Sequence, residues 1–256
     1  MKKCIRRITA FAGRVALEII RDPLSYIFAL GFPLIMLLIM TVVNSSIPPE
    51  AEMTLFETAS LVPGIAVFGL TFMSLFTAIL VSADRNEGFR VRLSVSPLRS
   101  GELVAGYILP IILLSIVQSM IAFAAGLLTG AVQGETVSIG NALFSIVVLI
   151  PADIMFAALG YIIGSVFSVK SAPAAASIVI TASSLLGGIW MDADSLGGVW
   201  LDFCRALPFY HAVKSGRLAY AGTADGLLLS LSVTGLYALL ISVIAAALSA
   251  ANRRTH

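Results

Sequence analysis

The sequence predicts an all-α integral membrane protein with six transmembrane helices. Of its 256 residues, 59% are hydrophobic and only 12% are charged, whereas soluble domains carry about 25% charged residues. The mean hydropathy of +1.00 points the same way. This composition excludes a disordered chain, a disulfide scaffold, a coiled coil and a soluble globule. The whole chain, residues 1–256, is therefore predicted to form a single membrane domain.

Six apolar stretches are long enough to cross a bilayer, which takes about 20 residues. They are predicted to be helices because lipid offers no partner for free backbone groups. The first stretch begins only at residue 24 and has no cleavage site after it, which predicts an uncleaved first span. The predicted spans are residues 24–43, 61–81, 103–129, 142–168, 172–190 and 227–251.

The basic residues are distributed asymmetrically between the predicted loops. Thirteen of the sixteen Lys and Arg residues fall in the N-terminal segment, the loop 82–102, the short turn 169–171 and the C-terminal tail. Because Lys and Arg concentrate in cytoplasmic loops, both termini are predicted to be cytoplasmic. An even number of spans agrees with that orientation.

Residues 4–22 predict a helix that lies on the membrane surface. At 100° per residue its apolar side chains share one face, and its charged side chains gather on another. Such a helix sits at the headgroup boundary, although generic positive-inside anchoring explains the charges equally well. The apolar face comprises Ile5, Ile8, Ala12, Val15 and Ile19, and the charged face Arg7, Arg14, Glu18 and Arg21.

Two loops carry further predicted helices. Residues 84–93 can form a short amphipathic helix that Pro97 terminates, and this is either a docking element for a soluble partner or an ordinary charged loop. Residues 191–226 are rich in aromatic side chains and are divided at Pro208 into two pieces too short to span. Those pieces are predicted to be re-entrant or interfacial helices, and an aromatic belt of the outer leaflet accounts for the same composition.

Two polar residues lie inside the predicted spans. Asp153 is about eleven residues into the fourth span, which places it near mid-membrane at 1.5 Å per residue. A carboxylate at that depth suggests a functional site by default, or it locks neighbouring helices together. Gln118 in the third span either lines a substrate pathway or cross-links helices. The Gly160-x-x-x-Gly164 pattern favours close helix packing, with contact between copies as the second interpretation.

The sequence contains no catalytic, cofactor or metal motif that we recognise. The nearest approach to a P-loop, Gly164 to Ser171, lacks the second glycine and follows a membrane span. The only histidines, His211 and His256, lie outside the predicted spans, which excludes an intramembrane Ser–His pair. Dispersed basic residues also argue against a nucleic-acid partner. The chain is therefore predicted not to be an enzyme by itself.

Four local patterns, in order along the chain, resemble the transmembrane permease subunits of type-2 ABC exporters. Each is weak alone, but their order and spacing within six predicted spans make the combination specific. The patterns are Leu61-Val62-Pro63-Gly64-Ile65, Asp84-Arg85-Asn86-Glu87-Gly88-Phe89 with Leu93 and Ser96-Pro97-Leu98, Gly187-Gly188-Ile189-Trp190, and Leu207-Pro208-Phe209-Tyr210.

The resemblance implies a division of labour between several subunits. It makes residues 84–93 a coupling helix in a cleft of a separate P-loop ATP-binding subunit, and residues 4–22 an interfacial helix that grips the same subunit. It also implies extracellular gate helices within 191–226. The implied coupling residues are Asp84, Arg85, Glu87, Gly88, Phe89, Arg90, Arg92 and Leu93, and the implied gate residues are Trp190, Trp200, Pro208, Phe209 and Tyr210.

The resemblance further implies two permeases, identical or homologous, working with two ATPases in a bacterial or archaeal cytoplasmic membrane. ATP and Mg would be bound by the ATPase and no cofactor by this chain. The substrate would be drug-like, lipid-like or otherwise amphipathic, with Gln118 and Asp153 as candidate pathway residues. The alternative is an ATP-independent secondary transporter or channel that uses Asp153 as an ion or proton site, although no inverted repeat is evident.

Overall fold

A computed structural model describes residues 2–46, 54–86, 98–134 and 138–254, and within these ranges the ordered elements are all helical. A π-helical turn, Ile27–Gly31, and a 3₁₀ turn, Thr54–Phe56, accompany the α-helices. The α-helices are α1 (Lys2–Arg21), α2 (Pro23–Tyr26), α3 (Phe32–Ser46), α4 (Thr58–Asn86), α5 (Ser100–Gln133), α6 (Ile139–Val166), α7 (Ala172–Leu186), α8 (Ala193–Leu196), α9 (Gly198–Ala206), α10 (Pro208–Ala221) and α11 (Leu227–Arg254).

Five helical segments in the described residues are long and apolar enough to cross a membrane. They correspond to the first four predicted spans and the last one. The first combines the π-helical turn with α3, because the chain continues from one into the other without a break. The segments are Ala29–Ser46, Thr58–Arg85, Ser100–Gln133, Ile139–Val166 and Leu227–Asn252.

The fifth predicted span is shorter in the structure than the sequence indicated. We expected a helix over 172–190, but α7 has 15 residues and ends at Leu186, so it rises only about 22 Å. The chain turns at Gly187 and Gly188, and Gly188 has a φ of +73°, which an L side chain rarely adopts. A sixth crossing by this helix stays a prediction.

The α4 helix forms the centre of the bundle and packs against α5, α6 and α7. Close approach of α6 depends on glycine, because a Cβ on Gly160 would lie 2.3 Å from the Ser74 carbonyl oxygen. A Cβ on Gly164 would lie 2.6 Å from the Ala78 carbonyl oxygen. The Gly160-x-x-x-Gly164 pattern therefore serves helix packing within the chain.

The bundle has two chemically different ends. At one end α1 packs on α5 beside the last turns of α4 and α6, and we call this the basic end. At the other end α10 packs against α4, α6 and α11, with α8 and α9 beside it. We call that the hairpin end, and polar networks occur at both.

Candidate functional site

At the basic end, Asp84 is the centre of a buried polar network. Its side chain, in the last turn of α4, has only 2% exposure. The Arg14 guanidinium of α1 donates through Nη1 to Oδ2 at 2.8 Å and through Nη2 to Oδ1 at 2.6 Å. The Tyr107 hydroxyl of α5 donates to Oδ2 at 2.5 Å. Three helices therefore meet at one carboxylate.

The geometry of this network belongs to the strong class of ion pairs. A two-pronged arginine–carboxylate contact is both short and directional, and the third donor satisfies a remaining lone pair of the buried anion. The hydrogen bonds to Asp84 raise the pKa of Arg14 above its ordinary value. Glu18, one turn further along α1, adds a second contact to Arg14 at 3.2 Å.

Apolar contacts hold α1 against α5 beside the ion pair. Phe11 meets the Tyr107 ring edge-on, with 5.0 Å between ring centroids. Gly106 makes that approach possible, because a Cβ there would lie 2.4 Å from Phe11 Cδ1. Val15 and Ile19 of the predicted apolar face are buried, whereas Ile5 is 55% exposed. Most of the predicted stripe therefore packs on protein.

The remaining charged residues of α1 differ in their surroundings. Arg7 lies 3.6 Å from Glu102 in the first turn of α5, and Glu102 also accepts a hydrogen bond from the Arg99 backbone. Arg21 is exposed at the end of α1. The predicted charged face is thus largely engaged with the start of α5 and the end of α4.

Arg85 ties the same turn of α4 to a third element. Its guanidinium donates to the Ser165 carbonyl and, at 2.9 Å, to the Phe167 carbonyl. Both carbonyls lie at the C-terminal end of α6, where helical carbonyls lack internal partners and the helix dipole favours a cation. Arg85 therefore caps α6 while Asp84 binds α1 and α5.

The predicted coupling helix is only partly within the described residues. We expected Asp84 and Arg85 to begin a separate helix, but they belong to the continuous helix α4, which ends at Asn86. Their side chains bond within the chain because α4 carries them into the interface with α1, α5 and α6. The other predicted coupling residues lie outside the described residues: Glu87, Gly88, Phe89, Arg90, Arg92 and Leu93.

Gln118 and Asp153 lie in the interior between α4, α5 and α6, each with 2% exposure. The Gln118 side chain packs closely against Gly69, because a Cβ on Gly69 would lie 2.1 Å from the Gln118 amide nitrogen. Ser115, which donates to the Ile112 carbonyl, lies beside Asp153. Within one chain, neither side chain reaches the protein surface.

At the hairpin end, most of the predicted gate residues pack inward. Trp190 meets Phe68 of α4 edge-on at 5.2 Å between centroids, and Phe209 stacks on Phe156 of α6 at 6.0 Å. Pro208 is buried as the first residue of α10, whereas Trp200 on α9 is exposed.

Tyr210 connects α10 to the short helix α8. Its buried hydroxyl donates to Asp194 Oδ1 at 2.8 Å, and Lys214 Nζ donates to the same hydroxyl at 3.2 Å. The Arg205 Nη2 donates to the same oxygen, Asp194 Oδ1, at 3.3 Å. Because Asp194 is 56% exposed at its side chain, water competes for these contacts, and they are weaker than those at Asp84.

Arg217 is a structural residue that sequence reasoning did not single out. From α10 its Nε donates to the Ser60 carbonyl at 3.1 Å, and its Nη2 donates to the Gly188 carbonyl at 2.9 Å. It thereby joins α10 to the start of α4 and to the turn after α7. Burial lowers the pKa of Arg217 below its ordinary value. Its only sequence signal was a cation among aromatic residues.

His211 provides another link from the same helix. One ring nitrogen lies 2.9 Å from the Arg205 carbonyl, and the other lies 3.4 Å from the Ser230 hydroxyl of α11. Burial, with smaller contributions from the charges of Lys214 and Arg205, lowers the pKa of His211.

Comparison of the chain with known proteins identifies a matching family. The family model described as ABC-2 type transporter matches residues 6–220. The matched region contains the Asp84 network, Arg217 and the hairpin end, and it stops before α11. In a comparison with curated proteins, none matched the chain.

Proposed function

Because the chain belongs to the ABC-2 type transporter family, we propose that it is the permease of an ATP-driven exporter whose ATP-binding subunit is a separate chain. The match over residues 6–220 is the observation that carries the proposal. The five apolar candidate spans agree with a multi-pass membrane protein. The chain itself would bind neither ATP nor Mg, both of which the ATP-binding subunit would hold.

The basic end faces the cytoplasm in this proposal. Support comes from the concentration of Lys and Arg in the segments at that end, since such loops stay cytoplasmic. The hairpin end then lies outside, where Trp190, Trp200, Pro208, Phe209 and Tyr210 would close the exit. The membrane would be the cytoplasmic membrane of a bacterium or archaeon.

Residues 84–93 would form the contact with the ATP-binding subunit, and we call them the coupling segment. The anchoring of Asp84 and Arg85 supports this role, because a segment that transmits movement needs a firm attachment to the spans. The α1 helix would grip the same subunit through its exposed charged residues, among them Arg21. Two permease copies, identical or homologous, would enclose the substrate path between them.

The substrate would be drug-like or lipid-like. An apolar groove of about 270 Å³ between α1, the first span and α5 supports this, with Ile20, Leu30 and Leu113 among its lining residues. Such a surface suits an acyl chain or an aromatic ring better than a polysaccharide. Asp153 would give the permease a preference for cationic substrates only if transport exposed the Asp153 side chain.

The proposal is tested by co-expressing the chain with a P-loop ATP-binding protein encoded beside it. We expect the two to purify together, to hydrolyse ATP in lipid vesicles and to export a cationic dye or a fluorescent lipid only with ATP. Gradient-driven transport by the chain alone would instead support the secondary transporter. Absence of any associating ATP-binding protein would contradict the proposal.

Asp153→Asn tests the substrate pathway separately. If Asp153 recognises a cationic substrate, export of a cationic dye falls in this variant while export of a neutral fluorescent lipid continues. Equal export of both by the variant and the original chain would remove Asp153 from the pathway.

A further inference from the structure

The Asp84 carboxylate is buried and is already bonded within the chain. Its two oxygens accept three hydrogen bonds from Arg14 and Tyr107, and the side chain is 2% exposed. An ATP-binding subunit could reach it only by breaking bonds inside the chain. Asp84 is therefore a positioning residue at the base of the coupling segment.

Two consecutive residues hold the last turn of α4 from different sides. Asp84 is bound by α1 and α5, and Arg85 is bound to the end of α6. Successive side chains on a helix point about 100° apart, so this turn is held in two directions. A displacement of the coupling segment must therefore move these neighbours or break the contacts.

The contacts of α1 with its neighbours differ in how strictly they fix its position. Phe11, Val15 and Ile19 pack through apolar surface, which is non-directional and allows small sliding movements. The two-pronged Arg14–Asp84 pair fixes distance and angle together. Among the contacts in the described residues, this pair holds α1 most rigidly to α4.

We propose that the Arg14–Asp84 ion pair transmits movement of the coupling segment to α1, so that the two respond to nucleotide as one body. This inference rests on the proposed function, because it needs an ATP-binding subunit that moves the coupling segment. It assigns the pair to transmission within the permease. Arg14 and Asp84 then act through the coupling segment and do not bind the substrate.

The test is amide hydrogen exchange on the full complex in lipid nanodiscs, with and without ATP plus vanadate. In the original complex, we expect nucleotide to change exchange in both residues 84–93 and α1. In Asp84→Asn the change in residues 84–93 persists, while most of the change in α1 is lost, because the neutral amide no longer fixes both the distance and the angle of the Arg14 guanidinium.

A matched control and a rescue separate transmission from simple damage. Thr9→Ala removes an exposed hydroxyl that bonds to carbonyls of its own helix, and its α1 should respond like the original. Arg14→Asp combined with Asp84→Arg restores an ion pair of opposite polarity and should recover the response of α1. If Asp84→Asn fails to assemble, Arg14→Gln breaks the same contact from the half-exposed partner.

The outcomes distinguish failure of this inference from failure of the proposed function. A full α1 response in either Asp84→Asn or Arg14→Gln would overturn the inference, even if α1 exchanged faster without nucleotide. That pattern would mean that the pair stabilises α1 and transmits nothing. If the original complex showed no nucleotide response in residues 84–93, the proposed function would fail instead.

Discussion

At the basic end Arg14 meets a carboxylate, whereas at the hairpin end Arg217 meets peptide carbonyls. The pKa of Arg14 is raised by its hydrogen bonds to Asp84, and the pKa of Arg217 is lowered by burial. Both arginines join helices that are far apart in sequence. One link therefore depends on charge compensation and the other on the fork-shaped geometry of a guanidinium.

The difference predicts what each end loses when its arginine is removed. Without Arg14 a buried carboxylate remains with a single hydroxyl donor. Without Arg217 the two carbonyls that it binds, those of Ser60 and Gly188, lose their donor, and an unpaired neutral acceptor costs less than an unpaired charge. The basic end should thus be the more sensitive to loss of its cation.

The largest effect is expected for Arg14→Ala. Removing Arg14 leaves the buried Asp84 carboxylate without a compensating cation, which should lower the free energy of unfolding by about 3 kcal/mol. Denaturant unfolding in detergent at neutral pH measures this. Arg6→Ala, on the exposed side of the same helix, is the control, and an equal loss in both variants would contradict the interpretation.

Arg217→Ala should cost less, about 2 kcal/mol, because two hydrogen bonds from a charged donor are lost but no buried charge is left behind. Arg217→Lys should recover little, since one ammonium cannot span both carbonyls. The exposed Arg205–Asp194 pair supplies the comparison, as Arg205→Ala should change stability much less than Arg217→Ala does. Full recovery by lysine would show that charge alone matters at this end.

Replacing either of two buried tyrosines with phenylalanine should lower stability by a smaller amount. Tyr107 and Tyr210 are both buried and both donate to an aspartate, but Asp84 is buried and Asp194 is exposed. Tyr107→Phe should cost about 1.5 kcal/mol and Tyr210→Phe about 0.5 kcal/mol, because water replaces the lost donor only at Asp194. The same unfolding measurement applies, and a reversed order would break the comparison.

The smallest effect is a pH dependence confined to the hairpin end. The pKa of His211 lies below its ordinary value of 6.5 in the folded chain, so the unfolded chain binds the proton more readily. Stability from this group is present above about pH 6.5 and is lost as the pH falls through that value. Unfolding midpoints should therefore decline on acidification, and less steeply in His211→Gln. Identical slopes would exclude His211 as the cause.

The helices were more predictable than their contacts. Five candidate spans correspond to apolar stretches in the sequence because span formation depends on local hydropathy and length. The helix α7 was overestimated because Ile189 and Trp190 continue an apolar pattern past Gly187 and Gly188. Hydropathy does not register that Gly188 requires a positive φ, which ends the helix.

The functional residues were harder to interpret than the spans. The sequence presented Asp84 and the following charges as one exposed cluster, yet Asp84 and Arg85 turn inward as part of α4. Their partners are 23 to 82 residues away along the chain. The importance of Arg217 likewise depends on carbonyls of Ser60 and Gly188 that no local pattern reveals.

By itself the sequence determined that this chain is a membrane protein, where most of its spans run and where its basic residues concentrate. Those properties follow from composition and local periodicity, since each span must satisfy its own backbone in lipid. Only the tertiary structure decided which charges bind one another. Asp84 becomes a buried junction, and Arg217 a bridge between carbonyls, because helix packing brings distant groups within hydrogen-bonding distance and removes water from them.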